Sequence, residues 1–149
     1  MRLLVATDGS HASAKALDHA VELADATDGS ITVAYAVDPQ AYAEGGQVPP
    51  TDITEYDDRL LLEDEDDAYD RGRRIVDAAA ERARVASVEV DTALLDGDPT
   101  DTLPDYAASE GYDGIFVGHR GLDPHEERLL GSVAKTLVER SRVPVTVVR

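Results

Sequence analysis

Apolar residues recur along the chain in two alternating rhythms. Short unbroken runs are separated by longer stretches in which apolar positions fall every three or four residues. LLVAT (3–7) ends at the turn signal Asp8-Gly9 and reads as a strand buried on both faces. Ser10 is placed to cap the helix that follows, where Leu17, Ala20, Val21 and Ala24 share one face. Asp28-Gly29 stops that helix, and ITVAYAV (31–37) is a second β-branched run. Residues 38–52 contain Pro39, Gly45, Gly46, Pro49 and Pro50 and read as a loop. A helical pattern then runs from about Ile53 to Ala86, divisible at Gly72, with Ile75, Val76, Ala79 and Ala83 as its apolar stripe. VEVDTALL (88–95) is the third strand. Asp98-Pro99 opens another helix by the rule that a cap precedes a proline, and Pro104 is expected to kink it or delay its start. GIFVG (114–118), SVAKTLVER (132–140) and VPVTVVR (143–149) read as the fourth strand, the last helix and the fifth strand.

This β-α alternation predicts an α/β fold, a single open sheet of five parallel strands with helices on both faces. Right-handed crossovers between parallel strands place the helices that way. Ligands of such sheets sit outside the carboxyl ends of the strands, at the point where strand order reverses. With 149 residues and no internal repeat, one domain spanning 1–149 is expected. The run Glu63-Asp64-Glu65-Asp66-Asp67 is most simply a solvated helix face.

Charge changes the picture more than size does. The chain has 31 Asp and Glu against 14 Lys and Arg, a net charge of −17, and its lysines are Lys15 and Lys135 alone. A field of that sign repels nucleic acid and anionic membranes, so neither is an expected partner. Acidic chains with few aromatics are often disordered, but here 42% of residues are hydrophobic and periodically arranged. The composition instead reads as the acidic surface of a halophile's protein, kept soluble in concentrated salt. Cysteine is absent, which excludes disulfides and thiolate metal sites. No apolar run approaches the ~20 residues of a membrane span, and the opening MRLLVATDGS lacks the form of a signal peptide. A cytoplasmic location is expected.

Candidate chemistry concentrates in VGHRGLDPHEERLLGSV (117–133). Gly118 ends the fourth strand, on the expected ligand edge, and glycine lets backbone approach a ligand closely. Gly131-Ser132 opens the last helix, where unpaired N–H groups and the helix dipole favour an anion. Arg120 is a cation placed to meet phosphate, or to pair with a nearby glutamate. Neither the P-loop pattern nor the dinucleotide G-x-G-x-x-G is present. On the residues alone, the loop is either an anion site of low specificity or two glycine turns and a helix start. His11, His19, His119 and His125 match no established metal spacing, even with Asp8 or Asp123 beside them, and solvent-exposed histidines are the simpler account. No nucleophile elbow or triad order emerges, so no catalytic residue is assigned.

The spacing Gly118, Gly121, Gly131, Ser132 fits G-x2-G-x9-G-[S/T], the pattern of ATP-binding universal stress proteins. LLVATDGS at the start, GDP (97–99) after the third strand and PVTVVR (144–149) at the end also resemble that family, over essentially the whole chain. The resemblance implies a Rossmann-like sheet of order 3-2-1-4-5, which sets Thr7, Asp8 and Gly9 beside Gly118. It implies ATP, or ADP or AMP, as ligand. Asp8 would lie near ribose and phosphates, through a divalent cation such as Mg2+, and Val37 would contact adenine. Gly118, Gly121, Gly131, Ser132 and Val133 would wrap ribose and phosphates largely through backbone. It further implies a homodimer through strand 143–149 and a regulatory or stress-protective role. The alternatives within the same fold are an interaction module without nucleotide and a slow ATPase. The chain departs from the family at His119, where a small hydroxyl residue is common. It departs again inside the loop, at Pro124, Glu126 and Glu127.

Overall fold

The computed structural model describes residues 1–38, 65–84, 86–120 and 130–149. In chain order the elements are β1 (Arg2–Ala6), α1 (His11–Ala26), β2 (Ser30–Val37), α2 (Glu65–Ala83), β3 (Glu89–Asp96), α3 (Pro99–Ser109), β4 (Gly114–Gly118), α4 (Ser132–Arg140) and β5 (Val145–Val148). The expected loop 38–52 beyond Asp38, the helical pattern before Glu65, and loop residues Gly121, Asp123, Pro124, His125, Glu126 and Glu127 lie outside the described residues.

The strands form one parallel sheet in the order β3-β2-β1-β4-β5. β2 and β3 pair along their full lengths, Ser30–Val37 against Glu89–Asp96. β1 pairs with β4 over Leu3–Val5, opposite Gly114–Phe116. Strand alternation divides the core in two. Leu3, Val5, Ile31 and Val33 pack with Leu17 of α1 and Val76 of α2 on one face. Leu4, Ala34 and Ile115 pack with Leu103 of α3 and Leu137 of α4 on the other. Leu3, Leu4 and Val5 are each at most 2% exposed, so β1 is covered from both sides, as its unbroken apolar run requires. Burying each such side chain contributes roughly 1.5–3 kcal/mol.

The helix starts follow their caps. Ser10 Oγ accepts from Ser13 N at 3.2 Å and caps α1. Asp98 Oδ1 accepts from Thr100 N at 2.7 Å and Thr100 Oγ1 at 2.5 Å, capping α3 with Pro99 in its first turn. Pro104 does not delay that start: α3 runs from Pro99 to Ser109 with Pro104 inside it. The cap fixes the beginning, and the buried Pro104 ring packs inward at the cost of the hydrogen bond its missing N–H would make to Thr100. β5 is shorter than the run 143–149, and the side chain of Ser141 holds both the N–H and the carbonyl of Val143 ahead of it.

Candidate functional site

The strand order brings the carboxyl ends of β1 and β4 together, and a cleft of about 420 Å³ opens there. That lies within the roughly 300–1,000 Å³ of small-molecule sites. Thr7 and Asp8 line it from β1, Gly118 and Arg120 from β4, and Gly131 through Ala134 from the start of α4. Ala34, Tyr35 and Ala36 of β2 and Pro99 and Leu103 of α3 supply its apolar wall. Asp8 and Arg120 are the charged groups among the described lining residues.

The turn after β1 is pinned by its own side chains. Thr7 N donates to Ala34 O at 2.9 Å, carrying the ladder one residue past the strand. Thr7 Oγ1 accepts from Gly9 N at 3.2 Å and lies 3.2 Å from Ser13 Oγ. Asp8 Oδ1 accepts from Ser10 N at 2.9 Å, which fixes the carboxylate at the cleft mouth. Gly9 has φ +80, a conformation L side chains rarely adopt. It faces the neighbouring groove between α1 and α2 rather than the cleft.

At β4 the geometry gives a glycine a packing role beside its place at the cleft. Gly118 reaches the cleft, but its absent side chain makes room for α1: a Cβ would sit 2.6 Å from the carbonyl carbon of Ala12 and 2.8 Å from Ser13 N. Beyond it, His119 N donates to Val148 O at 2.8 Å, and Gly131 N donates to His119 O at 2.7 Å. That second bond joins the two ends of the glycine loop. It also consumes the Gly131 amide, so the first-turn donors left to α4 are those of Ser132, Val133 and Ala134.

The start of α4 differs from the starts of α1 and α3. Gly131 is its N-cap and has no side chain to accept from the first turn, whereas Ser10 and Asp98 satisfy theirs. The uncapped helix start lines the cleft with four successive residues, Gly131 through Ala134. Backbone N–H groups and the positive end of the helix dipole therefore point to the same space.

Other expected residues fall elsewhere. Val37 is fully buried, and its carbonyl accepts from Gly97 N at 2.8 Å. It is not part of the described cleft lining, where β2 contributes Ala34, Tyr35 and Ala36 instead. His11 and His19 are exposed on α1, and His19 faces Glu22 at 3.8 Å. Among the described residues, no group of three His, Asp or Glu side chains is arranged to hold a metal ion. Sequence reasoning missed Leu103 and Pro99, whose only signal was the GDP turn leading into α3. Near that wall, hydrogen bonds from the side chain and backbone of Thr100 hold the Asp98 carboxyl below the usual carboxylate range.

Comparison with known proteins agrees with this architecture. The universal stress protein family matches residues 1–149. The chain is 32% identical to Universal stress protein YxiE of Bacillus subtilis over 148 residues, 99% of this chain and 98% of that one. The structure of UspA from Lactobacillus plantarum aligns with a TM-score of 0.78 at 24% identity, covering 100% of this chain and 97% of the other. A universal stress protein in complex with cAMP aligns with a TM-score of 0.71 at 28% identity, with coverage of 100% and 97%. Family match, sequence identity and fold all extend from end to end, and the chain belongs to the universal stress protein family.

Proposed function

We propose that the cleft binds an adenine nucleotide, ATP foremost, and that occupancy serves a regulatory or protective role rather than turnover. The open N-terminus of α4 carries this reading. Its first-turn amides, with no side chain capping them, face a cleft of nucleotide size beside Arg120. The apolar wall from β2 and α3 suits a purine, and Asp8 suits a divalent cation bridging to phosphate, Mg2+ being the natural choice. The 28% identical neighbour that carries cAMP supports an adenine ligand. Calorimetry with ATP, ADP, AMP and cAMP, with and without magnesium, tests the reading. Saturable binding at or below millimolar ATP is expected, and its absence would leave an interaction module without nucleotide.

The proposal extends to assembly and habitat. β5 lies at the sheet edge, with no strand beyond it among the described residues, and edge strands invite pairing. A homodimer through residues 143–149 follows, with the twofold symmetry commonest for such contacts. Light scattering should then give twice the 16.0 kDa chain mass; monomers at tens of micromolar would exclude it. The −17 charge supports a cytoplasm rich in salt.

A further inference from the structure

The histidine that departs from the family pattern stands behind Arg120, between two residues that line the cleft, Gly118 and Arg120. His119 is half-buried between β4 and the edge strand. Its ring Nε2 lies 2.6 Å from Arg120 Nε, and its Nδ1 lies 3.3 Å from Val148 O. A guanidinium only donates and does not give up its proton, so Nε2 must be the acceptor. The ring proton then sits on Nδ1 and points to the Val148 carbonyl. Both nitrogens are thus satisfied by one neutral tautomer, and by no other protonation state.

We infer that His119 is a positioning residue for Arg120: its neutral ring orients the guanidinium in the cleft, and protonation releases it. The inference rests on the nucleotide reading above. With Nε–H committed to His119, the remaining four guanidinium donors sit on the terminal nitrogens, the ones that reach phosphate oxygens. A proton added at Nε2 replaces this acceptor with a second donor. Two cations then face each other across a hydrogen-bond distance, and Arg120 swings away.

Among the described residues, the surroundings offer little to offset that charge. Arg120 is the charged group in hydrogen-bond contact with the ring among the described residues. From β5 the ring meets the Val148 carbonyl, followed along the chain by the cationic Arg149. At the positive end of the α4 dipole, the uncharged Gly131 donates its N–H to the backbone carbonyl of His119. On the α1 side, the adjacent Gly118 abuts Ala12 and Ser13. Imidazoles as a class change charge between about pH 5 and 8, so acidification is the lever.

The test uses cAMP, whose phosphodiester does not titrate in this range, on the full-length chain at fixed ionic strength. Wild-type affinity should fall on acidification from about pH 8, in step with protonation of the ring. His119→Gln, whose amide oxygen replaces the Nε2 acceptor without titrating, should bind like wild type at high pH and stay flat. His119→Phe should be flat at the weaker value. Backbone bonds of residue 119 survive both changes, and thermal melts confirm folding. A wild-type pH slope retained by His119→Gln overturns the inference, as does full affinity in His119→Phe. Nitrogen NMR of the ligand-free protein separates this idea from the nucleotide reading. If no nucleotide binds at all, the nucleotide reading fails, yet the latch still stands or falls on whether the Nδ1–H tautomer and the Arg120 Nε resonance are lost together on acidification. Independent titration of the two, or an Nε2–H tautomer at high pH, overturns it.

Discussion

Gly118 at the end of β4 rests on the backbone of Ala12 in α1, so closely that a Cβ would lie 2.6 Å from the Ala12 carbonyl carbon. The obstacle is backbone, which has no rotamer to turn aside. Gly118→Ala should therefore destabilise the fold by at least ~1–3 kcal/mol, the usual range for overpacking, and Gly118→Val by more. Chemical denaturation of both variants is the measurement. A neutral Gly118→Ala would mean that α1 and β4 separate more easily than the contact implies.

Ser132 offers a cleaner probe of the cleft. It is the first residue of α4, while the capping position belongs to Gly131, so removing its hydroxyl leaves the helix start intact. Ser132→Ala should lower ATP affinity roughly ten-fold to a hundred-fold, the loss of one hydrogen bond to a charged group at ~1.5–3 kcal/mol. Its melting temperature should stay that of wild type. Asp8→Asn should weaken binding mainly when magnesium is present. Equal affinities in calorimetry across all three proteins would remove both residues from the site.

Asp98 sets an acid limit. Its folded-state acidity is strengthened by the Thr100 hydrogen bonds, so the group is easier to ionise folded than unfolded. A depressed carboxylate contributes stability that is fully present above the unfolded pKa and is lost as pH falls through the folded one. Asp98→Ala should cost about 1 kcal/mol near neutrality, the worth of an N-cap, and the difference from wild type should shrink below about pH 4. Asp98→Asn, which caps without titrating, should remove the pH dependence. Urea titrations at several pH values decide it.

Salt should matter to the whole molecule. At −17, self-repulsion grows as screening weakens, with the Debye length rising from ~3 Å at 1 M to ~10 Å at 0.1 M. Exposed pairs such as Arg82–Asp18, Arg84–Glu81 and Arg140–Asp101 gain at low salt, but pairs of this kind do not offset the excess of acids. The melting temperature should fall steadily on desalting. A constant value would sever the charge from any saline habitat.

Strands and helices were legible where local pattern and tertiary environment agree. GIFVG and SVAKTLVER are β4 and α4 to the residue, because a run buried on both faces and a single apolar stripe each leave one sensible place in the sheet. Pro104 misled because local chemistry argues against a helix interior there, while burial of its ring and the Asp98 cap retain it. The cleft was legible in position but not in detail. Gly118 faces Ala12 across more than a hundred residues of chain, and no local signal separates that contact from room for a ligand. Val37 ends β2 as expected, and its side chain is wholly buried, a degree of burial that the strand pattern alone does not fix. The Gly131 amide reads as an anion donor until the carbonyl of His119 is found to occupy it.

The short ladder between β1 and β4 makes the molecule two ribbons with a seam. β2 is laced to β3 from end to end, whereas β1 meets β4 only over Leu3–Val5 opposite Gly114–Phe116. Thr7 and Asp8 belong to one ribbon, Gly118 and Ser132 to the other, and the cleft lies over the join. A molecule gripped from both sides would act as a splint. The amide proton of Leu4, which faces β4, would then slow its exchange with solvent far more than those of β3, and the ligand would govern how readily the halves part.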